Sequence, residues 1–140
     1  MKKLFLLITF LPFLALSQEN NDCEEHTMPY WANNINSRIR GENPTLRKAF
    51  KEIQLTETNI QPSNGFITLK LYITKTGEFC EMETFQIDED YQPTVFNNGT
   101  LIKELETIAL SLTDWERDKD FKTYNLIKLK IKNGKIEEIF

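Results

Sequence analysis

GFITLKLYITKTGEFCEMETFQI, residues Gly65 to Ile87, consists of two runs of strand-forming residues on either side of a glycine-containing turn. In the first run Ile67, Leu69, Leu71 and Ile73 alternate with Thr68, Lys70, Tyr72 and Thr74. That period of two belongs to a strand with one face buried and the other in water. Lys75-Thr76-Gly77 then supplies the turn, with Gly77 taking the positive φ that closes a three-residue loop with a bulge. The return arm runs from Phe79 to Phe85, so the stretch is read as a β-hairpin at the centre of the fold.

Working outward, 140 residues make one domain with a small core. Residues 1–17 read MKKLFLLITFLPFLALS, in which Lys2 and Lys3 precede the 13 mostly apolar residues Leu4 to Leu16 and a small-residue site ends at Ser17. This is the pattern of a cleaved secretory signal peptide. An uncleaved anchor needs roughly 20 apolar residues. Without Lys2 and Lys3 the chain carries 15 basic and 21 acidic residues, a charge of −6, which gives nucleic acid no electrostatic attraction. The only cysteines are Cys23 and Cys80. An even number in an exported chain points to one disulfide between them, the alternative being two unpaired thiols with Cys80 as a small core residue.

Residues 18–43 are expected to be a polar lead-in followed by a weak helix over Trp31 to Arg38, on the spacing of Tyr30, Trp31, Ile35 and Ile39. Residues 44–140 then form the α+β domain. Its first helix is expected to have Asn43 as cap and Pro44 at the first helical position, with Leu46, Ala49, Phe50 and Ile53 on one face. A loop from Thr56 to Asn64 leads into the hairpin. Asp88-Glu89-Asp90 reads as a solvated turn, since it lacks the ligand spacing of a calcium loop. The second helix spans Leu101 to Leu112, capped by Thr100 or Asn98. Beyond Trp115, Lys122 to Lys132 alternates as a long strand, and Asn133-Gly134 turns the chain into a final strand, Lys135 to Phe140. The fold class is thus α+β: a small antiparallel sheet of three to four strands with two helices on one face.

From Gly65 to Ile131 the order of hairpin, Gly77 turn, amphipathic helix Leu101 to Leu112, Trp115 and alternating strand Tyr124 to Ile131 resembles the C-terminal domain of TonB, especially its short Bacteroidetes-type members. The family usually follows its tryptophan with Pro-Gly, where this chain has Glu116-Arg117. The resemblance implies a periplasmic interaction domain whose last strand pairs with the first hairpin arm and leaves an edge for a receptor's peptide. A terminal strand at Lys135 to Phe140 would fill that edge.

Two functions follow. The first is a non-enzymatic protein-binding domain, periplasmic or extracellular, without a membrane anchor of its own. Its docking surface is the sheet face carrying Lys70, Tyr72, Lys128 and Lys130, and its partner an envelope protein or outer-membrane receptor segment. A homodimer through the sheet edge is a further expectation. The second is a cell-wall or glycan-binding module using Tyr72, Tyr124 or Trp115. No cofactor is expected. His26 is the only histidine, and with Cys23 and Cys80 it does not make a metal-ligand set or a catalytic dyad of recognisable spacing.

Overall fold

The computed structural model describes residues 21–140, so the expected signal peptide lies outside the described residues. In chain order the elements are strands β1 (Met28–Pro29) and β2 (Arg38–Ile39), helices α1 (Glu42–Ala49) and α2 (Lys51–Thr56), and the hairpin strands β3 (Gly65–Ile73) and β4 (Phe79–Asp88). Helix α3 (Thr100–Leu110) follows, then strands β5 (Trp115–Glu116), β6 (Thr123–Lys132) and β7 (Lys135–Ile139).

The hairpin forms as its pattern requires. Gly77 has φ +94°, and its N–H donates to Thr74 O at 3.0 Å while Thr74 N donates to Glu78 O at 2.8 Å. Tyr72 stands opposite Glu81 and Ile73 opposite Phe79, which leaves Cys80 as the extra residue of a β-bulge. β3 pairs antiparallel with β4 on one side and with β6 on the other. Asn133 and Gly134, both at positive φ, turn β6 into β7.

The sheet differs from the expected one in being five-stranded and mixed. Met28 and Pro29 pair parallel with Thr123 and Tyr124, on the same edge of β6 that β7 occupies further along. A two-residue strand containing a proline has no period to read, so the sequence showed only a polar lead-in. β2 and β5 form a separate two-stranded ladder.

Three helix expectations are corrected. Trp31 to Arg38 is not a helix: Asn33, Asn34 and Asn36 all have positive φ, so even the short turn at Ala32–Asn34 leaves right-handed helical geometry at Asn33. Ile35 and Ile39, which prompted the helical reading, are nevertheless buried. α1 starts at Glu42 rather than Pro44, with Gly41 as a left-handed N-cap and no capping bond from Asn43. α3 has Gly99 as its N-cap, and the Thr100 hydroxyl donates back to Asn97 O at 2.8 Å instead of capping. Asn97, Asn98 and Gly99 all have positive φ, so the chain reverses just before the helix, and no side-chain capping bond forms.

Ile67, Leu69, Leu71 and Ile73 of β3 and Ile127, Leu129 and Ile131 of β6 are buried on one face of the sheet. They form a single cluster with Leu46, Phe50 and Ile53 from α1 and α2 and with Leu101, Ile102, Leu105 and Ala109 from α3. The hairpin enters this core through Gly65, at φ +149°, where an added Cβ would stand 2.2 Å from Ile87 O and 2.9 Å from Phe96 Cζ. Gly65→Ala is therefore expected to destabilise the domain by at least about 2 kcal/mol, read as a lower urea midpoint. An unchanged midpoint would show that β3 and β4 can move apart at no cost.

Candidate functional site

The face of the sheet turned away from the helices is built by the alternate residues. β3 contributes Phe66, Thr68, Lys70 and Tyr72, β6 contributes Tyr124, Leu126, Lys128 and Lys130, and β4 contributes Glu81, Glu83 and Phe85. Tyr72 stands opposite Tyr124, Lys70 opposite Leu126, and Thr68 opposite Lys128. The four predicted residues Lys70, Tyr72, Lys128 and Lys130 therefore share one face.

They do not form a row of free cations. Lys70 Nζ lies 3.1 Å from Glu83 Oε2 and sits over two rings, 4.8 Å from the Tyr72 centroid and 4.6 Å from that of Tyr124. The Tyr72 hydroxyl donates to the same Glu83 oxygen at 2.9 Å. Lys70, then Tyr72, hold the Glu83 carboxyl below its ordinary range. Lys130 pairs with Glu137 at 2.7 Å and Lys132 with the same residue at 3.3 Å, and hydrogen bonding to Lys130 first depresses Glu137 in turn. Among the described residues Lys128 is in no ion pair, and it is exposed.

The face also carries a residue that periodicity missed. Trp31 is 62% exposed and meets Tyr124 edge-on, with centroids 6.2 Å apart, while Tyr124 lies 6.1 Å from Tyr72. Trp31, Tyr124 and Tyr72 thus make a row with Lys70 set against its inner end. Their planes meet at 60° to 70°, so the row is ridged rather than flat. Phe85, 53% exposed, extends the apolar surface on β4. Trp115 does not belong here: it packs against the helix-covered core, and its Nε1 donates to Leu112 O at 3.0 Å. The aromatic trio of the glycan expectation is therefore split, with the two tyrosines together and the tryptophan elsewhere.

Trp31 is held in place by the arm that precedes β2. Cys23 and Cys80 form a disulfide with Cα atoms 5.6 Å apart, which settles the two alternatives and removes Cys23 as a thiol. Lys75, in the hairpin turn, binds Glu25 at 2.5 Å and Asp22 at 3.4 Å. Lys122, only 5% exposed, donates its ammonium to Cys23 O and lies 5.7 Å from the Tyr72 ring. His26 is exposed between the disulfide and β1. The acidic turn is closed by its own side chain: Asp88 Oδ1 accepts from the N–H groups of Asp90 and Gln92, both at 2.9 Å.

No family model, curated protein or solved structure matches the chain. Fold and site stand on their own geometry: an α+β domain with a disulfide-held arm and one sheet face that, among the described residues, is turned away from the helices. Among the described residues no helix is long and apolar enough to cross a membrane.

Proposed function

We propose that the chain is a non-enzymatic protein-interaction domain that docks through the ridged aromatic face. The observation that carries this reading is Trp31, left 62% exposed at the head of the Trp31–Tyr124–Tyr72 row. Exposed aromatic clusters with an adjacent cation are characteristic of interface centres. Steeply inclined rings suit interdigitating side chains better than the flat face of a sugar, which favours a protein partner at this surface. Lys128, four residues along β6 from Tyr124 on the same face, adds a positive charge in no ion pair among the described residues and favours a partner with an acidic residue at that point.

The disulfide fits an oxidising compartment, and with the N-terminal sequence it supports a periplasmic or extracellular domain. The likeness to the TonB C-terminal domain makes an envelope protein or an outer-membrane receptor segment the partner of choice. β7 lies on β6 over Leu129 to Lys132, so the outer face rather than that edge is the docking surface in this reading.

The test is crosslinked capture from the native cell envelope by residues 18–140 and by Trp31→Ala and Lys128→Glu variants. Lys128 is chosen over Lys130 because Glu at 130 would stand beside Glu137 and disturb the β6–β7 edge. A partner retained by the parent and lost at least about tenfold by Trp31→Ala is expected, given the weight of a central aromatic anchor. A partner indifferent to both substitutions would refute docking through this face.

A further inference from the structure

Alternation along β6 turns Thr123, Asn125, Ile127, Leu129 and Ile131 to the same side, and all five are buried. The first two are polar, which breaks the pattern of an otherwise apolar row. Asn125 Nδ2 donates to Ser37 Oγ at 2.9 Å, and Ser37 is itself buried. An amide offers two N–H donors and a carbonyl with two lone pairs, and a hydroxyl adds a donor of its own, so this one bond uses a small part of the pair's capacity. Among the described residues neither side chain has a fully buried atom without a partner, so the rest of that capacity is open to solvent or to a ligand.

The pair looks onto a cavity of about 230 Å³. It lies at a gap in the sheet edge: β1 ends opposite Tyr124, and Phe140 exchanges backbone bonds with Lys128 at 2.7 and 3.0 Å, so among the described residues no strand lies beside Asn125 to Ile127. Tyr30, Trp115 and Phe140 are among the residues that line it, and half-buried Arg38 and exposed Glu42 stand at its rim. Arg38 is neutralised by Asp118 at 3.0 Å, whereas Glu42 has no ion pair among the described residues.

We propose that this cavity binds one neutral saccharide unit. Aromatic walls suit the C–H faces of a pyranose, and the open capacity of Asn125, Ser37 and Glu42 suits its hydroxyls. The volume lies below the roughly 300–1,000 Å³ of pockets for drug-sized ligands, which fits a single ring. A rim bearing one neutralised cation and one carboxylate gives no pull on an anion. The cavity adjoins the aromatic docking face, since Tyr30 meets the Trp31 ring at 5.5 Å and Leu126 borders both, but Glu42 belongs to the cavity alone and Lys128 to the face alone, so Glu42→Gln and Lys128→Glu tell the two apart.

The experiment is an NMR titration of the ¹⁵N-labelled domain with N-acetylglucosamine and methyl glucoside, with cyclohexanol as a ring of similar size without the hydroxyl array. Saturable shifts of the Asn125 side-chain amide, the Ser37 amide and the Trp115 indole are expected with a saccharide at millimolar concentration and not with cyclohexanol. Glu42→Gln, an exposed change that leaves the core untouched, is expected to weaken binding by about tenfold, the loss of one charged hydrogen bond. Three outcomes would overturn the proposal: no saturable shift with either sugar, equal binding of cyclohexanol, or a Glu42→Gln domain that binds as the parent does.

Discussion

Paired Cys23→Ser and Cys80→Ser substitution is expected to lower the unfolding free energy by about 4 kcal/mol, the loop-closure value for a crosslink spanning 57 residues. Little else would hold residues 22 to 31 in place. β1 gives a two-residue pairing, and the Lys75 ion pairs with Asp22 and Glu25 are solvent-exposed and of small worth. Closing the arm also buries the Lys122 ammonium against a carbonyl and a ring, with no carboxylate paired to it among the described residues. Desolvating such a charge opposes closure. Undocking of Trp31 from Tyr124, seen as a change in tryptophan emission, is therefore expected to precede global unfolding in the serine variant. Urea denaturation checks the first figure, and a loss below about 1 kcal/mol would show that the arm is held by its other contacts.

Phe50→Ala is expected to cost a similar amount, about 4 kcal/mol. Phe50 is fully buried at the junction of α1 and α2, where the backbone leaves helical geometry at ψ 3°. Its ring fills space among the apolar side chains of both helices and the sheet, and an alanine would leave a void that two short helices cannot jointly close. Leu55→Ala on the same segment, 69% exposed, is the control and is expected to change stability by less than about 0.5 kcal/mol. Equal losses at the two positions would mean that α2 does not dock as described.

Most of the domain was legible because its strands carry a strong period. Ile67 to Ile73 and Ile127 to Ile131 are buried on one side, and Gly77 and Asn133-Gly134 turn where their chemistry requires. The arm was not legible, for a physical reason: Ile35 and Ile39 stand four apart like a helix stripe, yet the chain between and before them runs through left-handed asparagines that place them in the core by another route. The same error hid the site. Read as part of a helix, Trp31 became a core aromatic, whereas it lies on the open face beside Tyr124, whose strand lies more than 90 residues further along. Lys70, Tyr72, Lys128 and Lys130 were placed on a common face by alternation alone. The acids that pair with two of the lysines depend on strand register, and Glu137 enters through an irregularity in the β6–β7 pairing. Asn125 was not singled out in the sequence, and its partner Ser37 belongs to the arm that sequence could not place.

β6 has a further consequence, for the order in which the molecule is assembled. Among the described residues it is the strand that joins β3 to β1 and β7, and its pairing with β3 begins at Thr123. A chain synthesised N-terminus first therefore presents the hairpin, both cysteines and the first two helices well before the strand that closes the sheet. The Cys23–Cys80 crosslink can form on this incomplete molecule, and the last third of the chain then adds to a scaffold whose arm is already tethered. Until then β3 has a free edge, the condition in which a newly made chain most needs a chaperone.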